Sequence, residues 1–141
     1  KKLKEYVGEH RNPSVFQNLL TVPGVGLKTA LVLYTEIIDM KRFPTLDRLK
    51  SFVGLVPSTD LSGDNDWTRG LTYRKNKHLK HVIIEAAWVA IRQDPVLLHK
   101  YNKLIVRMKA QNAIIKIAVK LLDRIRYVWN NNCLYLKGVI Q

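Results

Sequence analysis

Ser62 is the residue whose chemical type and setting first suggest chemistry. It precedes Gly63 in the polar stretch GLVPSTDLSGDNDWTRG, which covers residues 54–70. A serine hydroxyl is a weak nucleophile at neutral pH unless a neighbouring base or cation makes its deprotonation less costly. Attack on a phosphodiester would also require cations that stabilise the charge developing on the phosphoryl oxygens. On spacing alone, a serine before a glycine is more often a turn, so this stretch by itself does not predict a nucleophile.

A block of basic residues follows the serine. The segment RGLTYRKNKHLKH, residues 69–81, contains arginine, lysine and histidine but no acid. Cations that contact phosphates release counterions from a nucleic acid, so such binding weakens steeply as the salt concentration rises. A solvated basic face is the alternative, but such faces usually mix both signs of charge, and this one does not. We therefore predict phosphate contacts from Arg69, Arg74, Lys75, Lys77, His78 and Lys80.

A glycine-rich turn predicts a second binding element, within LLTVPGVGLKTALVL, residues 19–33. Its two glycines allow a tight turn between two helices and a close approach of the backbone to a ligand. The first N–H groups of the second helix are unpaired and lie at the positive end of the helix dipole, which favours a phosphate oxygen. The alternative is a turn between two core helices, but the charge of the whole chain favours DNA binding. The predicted contacts are Gly24, Gly26, Lys28 and Thr29.

The composition of the chain supports a nucleic-acid partner. Its 141 residues fit a single domain, and 47% of them are apolar, which is enough for a core. Lysine and arginine number 24 against 11 acids, and the resulting net charge of +13 favours a polyanionic partner. A membrane surface is the competing partner, but no apolar run approaches the ~20 residues of a spanning helix. The single cysteine, Cys133, excludes an internal disulfide and suits a reducing cytoplasm.

Apolar residues recur at helical spacing over most of the chain, and no alternating strand pattern of useful length is present. Helices are predicted on both sides of the glycine turn, up to residue 40, and over residues 46–53, where Gly54 is expected to be a left-handed cap. Further helices are predicted from residue 76, over about 96–109, and over 112–130. On the last helix, Lys116, Lys120 and Arg124 form a basic stripe opposite the apolar one. The prediction is one all-α domain.

Metal binding is not predicted for this chain. His78, His81 and Glu85 have a spacing that nominally places them on one helical face, and Asp64 and Asp66 lie in the polar loop. Hydrolytic metal sites need converging ligands with supporting hydrogen bonds. Two acids two residues apart more often form an Asx turn, and histidines among lysines more often contact phosphate or solvent.

Three motifs occur in a fixed order: LLTVPGVGLKTALVLYTEI, RFPTLDRLKSFVGLVPSTDLSG and RGLTYRKNKHLKHVIIEAAW. In this order and spacing they resemble the C-terminal domain of the IS-one-ten class of bacterial insertion-sequence transposases. The resemblance covers residues from about 19 to 90. It implies one helical C-terminal domain over residues 1–141, with a helix-hairpin-helix at about 14–40, a serine loop at 54–70, and the basic segment and C-terminal helices at 71–131.

The resemblance also implies a catalytic role for one residue of the loop. The serine that attacks DNA covalently in this family falls on Ser62, five residues after Pro57, and not on Ser58. The expected activity is DNA cleavage and joining in transposition. An N-terminal RuvC-like domain, with four acids that bind Mg²⁺, is expected to be missing from this chain, so that no cofactor is expected within it. The implied partners are DNA, a guide RNA, that RuvC-like domain and further copies of the protein, in the bacterial cytoplasm.

Two other classes of function remain open from the residues. A non-catalytic helix-hairpin-helix module that tethers DNA or RNA needs the same glycines and basic residues but not Ser62. A helical protein–protein scaffold with an incidental basic surface would have little affinity for nucleic acid.

Overall fold

The computed structural model describes residues 13–55 and 66–136, and the side chains of 14–55 and 77–136. Six α-helices and one short 3₁₀ helix make up this part of the chain, and none of these residues lies in a strand. The prediction of an all-α fold is therefore confirmed. The helices are α1 Pro13–Leu19, α2 Leu27–Ile37, α3 Leu46–Val53, α4 Asp66–Gln93, α5 Pro95–Leu104 and α6 Ala110–Asn131, and the 3₁₀ helix is Met40–Arg42.

Local residue chemistry accounts for several helix ends. The Thr45 hydroxyl accepts a hydrogen bond from the Arg48 N–H at 3.3 Å and so begins α3. Gly54 ends α3 with φ 90°, in the left-handed region that favours glycine, and this predicted cap is confirmed. Asp94 begins α5, because its Oδ1 accepts from the Val96 N–H at 3.0 Å and Pro95 occupies the first turn.

Three predicted helix boundaries are wrong. Helix α5 ends at Leu104 rather than at about residue 109. Helix α2 ends at Ile37 rather than residue 40, because Ile38 has φ 67° and Arg42 donates to the Ile37 carbonyl at 2.6 Å. Helix α4 begins at Asp66, ten residues earlier than predicted, so residues 66–70 belong to a helix and not to the polar loop. The early turns of α4 are rich in polar residues and lack an apolar period, yet a helix once formed continues with little further cost.

The core lies between α4 and α6, the two longest helices, which pack against each other and against the shorter helices. The predicted apolar stripe of α6 is buried as expected; its members are Ile114, Ala118, Leu121, Ile125 and Val128. At the far end of α6, the Trp129 ring stacks on Tyr34 with the ring centroids 5.6 Å apart. No helix in the described part of the chain is long and apolar enough to cross a bilayer.

The predicted basic stripe of α6 is wrong at Arg124, which is buried. Its residue is only 5% exposed, so it does not share a solvent face with Lys116. Its Nη1 donates to the Tyr135 hydroxyl and lies 3.7 Å from Asp94 Oδ2. The Tyr135 hydroxyl in turn donates to Asp94, which is 1% exposed. A buried acid at the start of α5 therefore accounts for a buried cation, since a buried charge requires a partner.

The Asp94–Arg124–Tyr135 cluster predicts a stability difference between two substitutions. Asp94→Ala should lower the free energy of unfolding by about 3 kcal/mol, because it leaves Arg124 buried without an acid and removes the cap of α5. Tyr135→Phe removes one hydroxyl and should cost only about 1 kcal/mol. Urea unfolding followed by circular dichroism measures both; equal losses would show that the charge pair is not important.

The same cluster predicts a pH dependence at alkaline pH. Burial, and then the hydrogen bond to Asp94, raise the pKa of Tyr135 from 10.0 to about 12. Because the folded chain holds this proton more tightly than the unfolded chain, the stabilisation is complete below about pH 10 and is lost as the pH rises towards 12. The urea midpoint of the wild type should therefore fall more over this range than that of Tyr135→Phe. Parallel curves would contradict the assignment.

Candidate nucleic-acid interface

The predicted nucleophile and the side chains of part of the basic block lie outside the described residues. Ser62 lies outside the described residues, which resume at Asp66. Arg69, Arg74 and Lys75 lie within the backbone of α4, but their side chains are outside the described set. The roles of these four residues stay predictions.

Gly24 lies in the turn between α1 and α2 and packs directly on the backbone of α4. Its φ is +81°, and a Cβ at this position would lie 2.1 Å from the carbonyl oxygen of Ala86 and 3.2 Å from the nitrogen of Ala90. Its N–H donates to the Gln93 side chain at 2.9 Å. The glycine is therefore required for the contact between turn and helix, and its own N–H has a partner inside the protein. A contact between Gly24 and nucleic acid stays a prediction.

Gly26 has different surroundings and precedes the first residue of α2. Its backbone is extended, with φ −92°, and a Cβ added to it would meet nothing within 4 Å. No side chain caps α2, so its first N–H groups are not satisfied by a capping residue. Lys28 is exposed and Thr29 is half-buried in this first turn. The start of α2 is thus an open, positively polarised helix end of the kind that accepts a phosphate.

The described part of the basic block lies at the middle of α4. Lys77 and His78 are exposed, whereas Leu79 between them and Lys80 is 1% exposed and anchors the helix in the core. The Lys80 side chain runs close to Gly54, because a Cβ on that glycine would lie 3.7 Å from Lys80 Cδ. The structure thus brings one predicted phosphate ligand to the end of α3, where the chain leaves for the segment that contains Ser62.

His81 contacts the Glu85 carboxylate on the surface of α4. His81 Nε2 lies 3.0 Å from Glu85 Oε1, and both side chains are about two-thirds exposed, at 67% and 68%. Among the described residues, no three histidine, cysteine or acidic side chains are close enough together to hold a metal ion.

Sequence reasoning missed the residues of α4 that hold the glycine turn. Ala86 and Ala90 are small and buried, and their spacing of four places them on one side of the helix. Gln93 supplies the hydrogen bond to Gly24. The alanines of EAAWVA, two of them four residues apart, were the available signal, since small side chains let two backbones approach closely.

Comparison with known proteins identifies relatives over most of these elements. Residues 16–102 match the model of a family described as Transposase IS116/IS110/IS902 family. An "Insertion element IS110 uncharacterized 43.6 kDa protein" from Streptomyces coelicolor is 32% identical over 101 residues, which are 71% of this chain and 25% of that protein. A "Transposase for insertion sequence element IS1111A" from Coxiella burnetii is 34% identical over 76 residues, 54% of this chain and 21% of that protein.

A third relative has a similar extent of match. The "Transposase for insertion sequence element IS1328" from Yersinia enterocolitica is 31% identical over 77 residues, 55% of this chain and 23% of that protein. The chain therefore spans about a quarter of the length of the curated relatives it matches. No solved structure matches the chain.

The two glycines of the turn should respond differently to alanine. Gly24→Ala should lower the free energy of unfolding by about 3 kcal/mol, because the new methyl group meets the Ala86 carbonyl and the positive φ disfavours a side chain. Gly26→Ala, the matched control, should cost less than about 1 kcal/mol, since its surroundings are open and its φ is ordinary. Thermal unfolding of the two variants measures the difference, and similar midpoints would exclude the close contact.

Proposed function

The chain belongs to the Transposase IS116/IS110/IS902 family, and on this premise we propose that it is the DNA-binding domain that carries a serine nucleophile for transposition. In this proposal Ser62 Oγ attacks a DNA phosphodiester. A bond forms between that oxygen and phosphorus, the bond from phosphorus to one deoxyribose oxygen breaks, and the serine proton ends on the released hydroxyl. Attack by a second DNA hydroxyl on the serine phosphodiester reverses these steps and joins the strands.

One observation carries this proposal: the family match covers residues 16–102, a range that includes the Ser62 segment and the helices on both sides of it. Leu55 precedes this segment; it is 2% exposed, and its N–H donates to the Lys50 carbonyl at 2.9 Å. Asp66 follows the segment as the first residue of α4. Ser62 precedes Asp66 by four residues in the sequence, and the proposal therefore assigns the serine to the cations of that helix.

The cations of α4 are proposed to bind and neutralise phosphates next to the serine. Lys77 and His78 are exposed, and the Lys80 stem lies beside Gly54, where the chain departs towards Ser62. Arg69, Arg74 and Lys75 belong to the same helix and extend the basic block towards its first turn. Such groups would stabilise the charge that develops on the phosphoryl oxygens during attack.

The start of α2 is proposed to hold the DNA backbone at a second point. Its uncapped N–H groups favour an anion, and Lys28 adds an exposed positive charge. Thr29 can donate its hydroxyl to the same phosphate. Contacts of this kind fix the position of the duplex without reading its sequence.

The remaining partners are proposed from the family. Mg²⁺ would be held by acids of an N-terminal RuvC-like domain, a guide RNA would select the DNA sites, and several copies would act together in the bacterial cytoplasm.

A non-catalytic binding module is the second candidate function. It is favoured by one feature, namely that the open start of α2 and the exposed cations of α4 are complete without Ser62. The two functions differ in one product, a covalent bond between protein and DNA.

Substitution of the serine tests the proposal. In protein that also carries the RuvC-like domain, Ser62→Ala should abolish the covalent protein–DNA adduct and strand joining, while DNA affinity stays within about twofold, because the hydroxyl supplies the attacking oxygen and no charge. Ser58→Ala is the matched control, a serine of the same segment that should keep both activities. Denaturing gels of labelled DNA reveal the adduct. Adduct formation at the wild-type level by Ser62→Ala would show that the nucleophile is another group.

A further inference from the structure

A long stretch without acids extends beyond the family match. Residues 95–122 contain no aspartate or glutamate, although histidine, lysine and arginine recur throughout. The family match ends at residue 102, so most of this stretch lies outside it. These residues form α5, the connection after it, and the first half of α6.

The exposed cations of this stretch fall into two groups, one on α5 and the residues that follow it and one in the first half of α6 and directly before it. Lys100, Lys103 and Arg107 are spaced by three and four residues, which places them along one side of α5 and its continuation. Lys109 precedes α6, and Lys116 follows seven residues later on the same side, about 10 Å further along the helix. All five are exposed, and none forms an ion pair with another residue that the structure describes. We call these five residues the α5–α6 row.

Folding does not require this row. The apolar sides of both helices are used in the core, where Leu97, Ala113 and Ile117 are 0% exposed. Their solvent sides could carry either sign of charge. Like charges three or four residues apart destabilise an isolated helix by about 0.2–0.5 kcal/mol a pair. A row of one sign therefore costs stability unless an anion binds it.

We propose that the α5–α6 row is a second surface for the phosphate backbone of duplex DNA, separate from α4 and the start of α2. The inference rests on the proposed function in one respect, that this domain handles DNA. Four of the five cations are lysines, which act as point charges on a backbone and do not supply the planar fork that reads a base.

The surroundings of the row favour a duplex over a single strand. Binding of single strands relies on aromatic rings that stack on bases. Tyr101, the aromatic residue of α5, is half-buried and packs edge-on against Trp88, with ring centroids 5.9 Å apart. It is therefore engaged within the protein.

A membrane surface fits the row less well. An interfacial helix inserts its main apolar face among the lipids. In α5 that face includes Leu97 and Leu104, which are 0% and 6% exposed in the core. The main apolar face of α5 is thus not available to lipid, and the large apolar side chains exposed beside the row are limited, among the described residues of this segment, to Leu98, Ile105 and Val106.

Removal of two cations of the row tests the inference. Lys103→Ala/Arg107→Ala should weaken binding of a labelled 20-base-pair duplex about tenfold and lower the slope of log affinity against log salt by about 1.8, since each phosphate contact contributes about 0.9. Lys41→Ala/Arg48→Ala is the matched control, because it also removes one exposed lysine and one exposed arginine and changes the net charge equally. Fluorescence anisotropy of the complete chain at several salt concentrations gives both values, and circular dichroism confirms that each variant folds.

The outcomes separate this inference from the proposed function. A wild-type chain that binds no duplex would overturn both. A wild-type chain that binds, with the two double variants indistinguishable, would overturn only the α5–α6 row. Loss of binding to vesicles of anionic lipid in Lys103→Ala/Arg107→Ala, with duplex binding unchanged, would overturn it in favour of a membrane partner.

Discussion

The contact of Gly24 with the backbone of α4 is the constraint on which the arrangement of the candidate interface depends. The glycine approaches the Ala86 carbonyl so closely that no side chain can lie between them, and its N–H is held by Gln93. One part of the turn is thus fixed to the C-terminal half of α4, while Gly26, two residues later, faces open space and begins α2. The contact fixes the uncapped end of α2 relative to α4, which also carries Lys77 and His78. The same contact therefore positions both candidate anion sites, the start of α2 and the middle of α4, relative to each other.

A second group of contacts lies directly after the C-terminal end of α4. Asp94 is buried and lies directly before α5. It accepts a hydrogen bond from the Tyr135 hydroxyl and pairs with Arg124, so that the residues after α6 are held against the core. The Tyr135 N–H also donates to the Thr21 hydroxyl at 3.0 Å, next to the glycine turn. Both groups of contacts involve the glycine turn, the first through the backbone of Gly24 and the second through the Thr21 hydroxyl. Among the residues whose burial is described, Arg124 is the one buried cation, and it is paired with Asp94.

Much of the fold could be predicted from the sequence, because the burial of apolar side chains requires them to recur at regular spacing. The bounds of α3 and its Gly54 cap, the apolar stripe of α6 and the absence of strand patterns all reflect apolar periodicity or glycine chemistry. The early start of α4 did not, because its first turns lack an apolar period. Arg124 was misassigned to a solvent stripe for a different reason: its burial depends on contacts with Asp94, thirty residues away in sequence, and with Tyr135. The inward orientation of Gly24 likewise depends on α4, which the local sequence does not contain.

For the candidate site, too, some residues could be predicted from their neighbours in the sequence, whereas others depend on residues that are distant in the sequence. Glycine and charge patterns located the start of α2 and the basic block, since an open helix end and a run of one sign are visible within a few residues. A nucleophile is defined by the groups that surround it in space, and a Ser-Gly pair contains none of that information. The identification of Ser62 rests on the ordered motifs and on the family match that spans them. The structure adds a physical reason for the order: α3 and α4 pack together, with Lys80 beside Gly54. The chain that leaves α3 after Gly54 therefore starts beside a cation of the basic block.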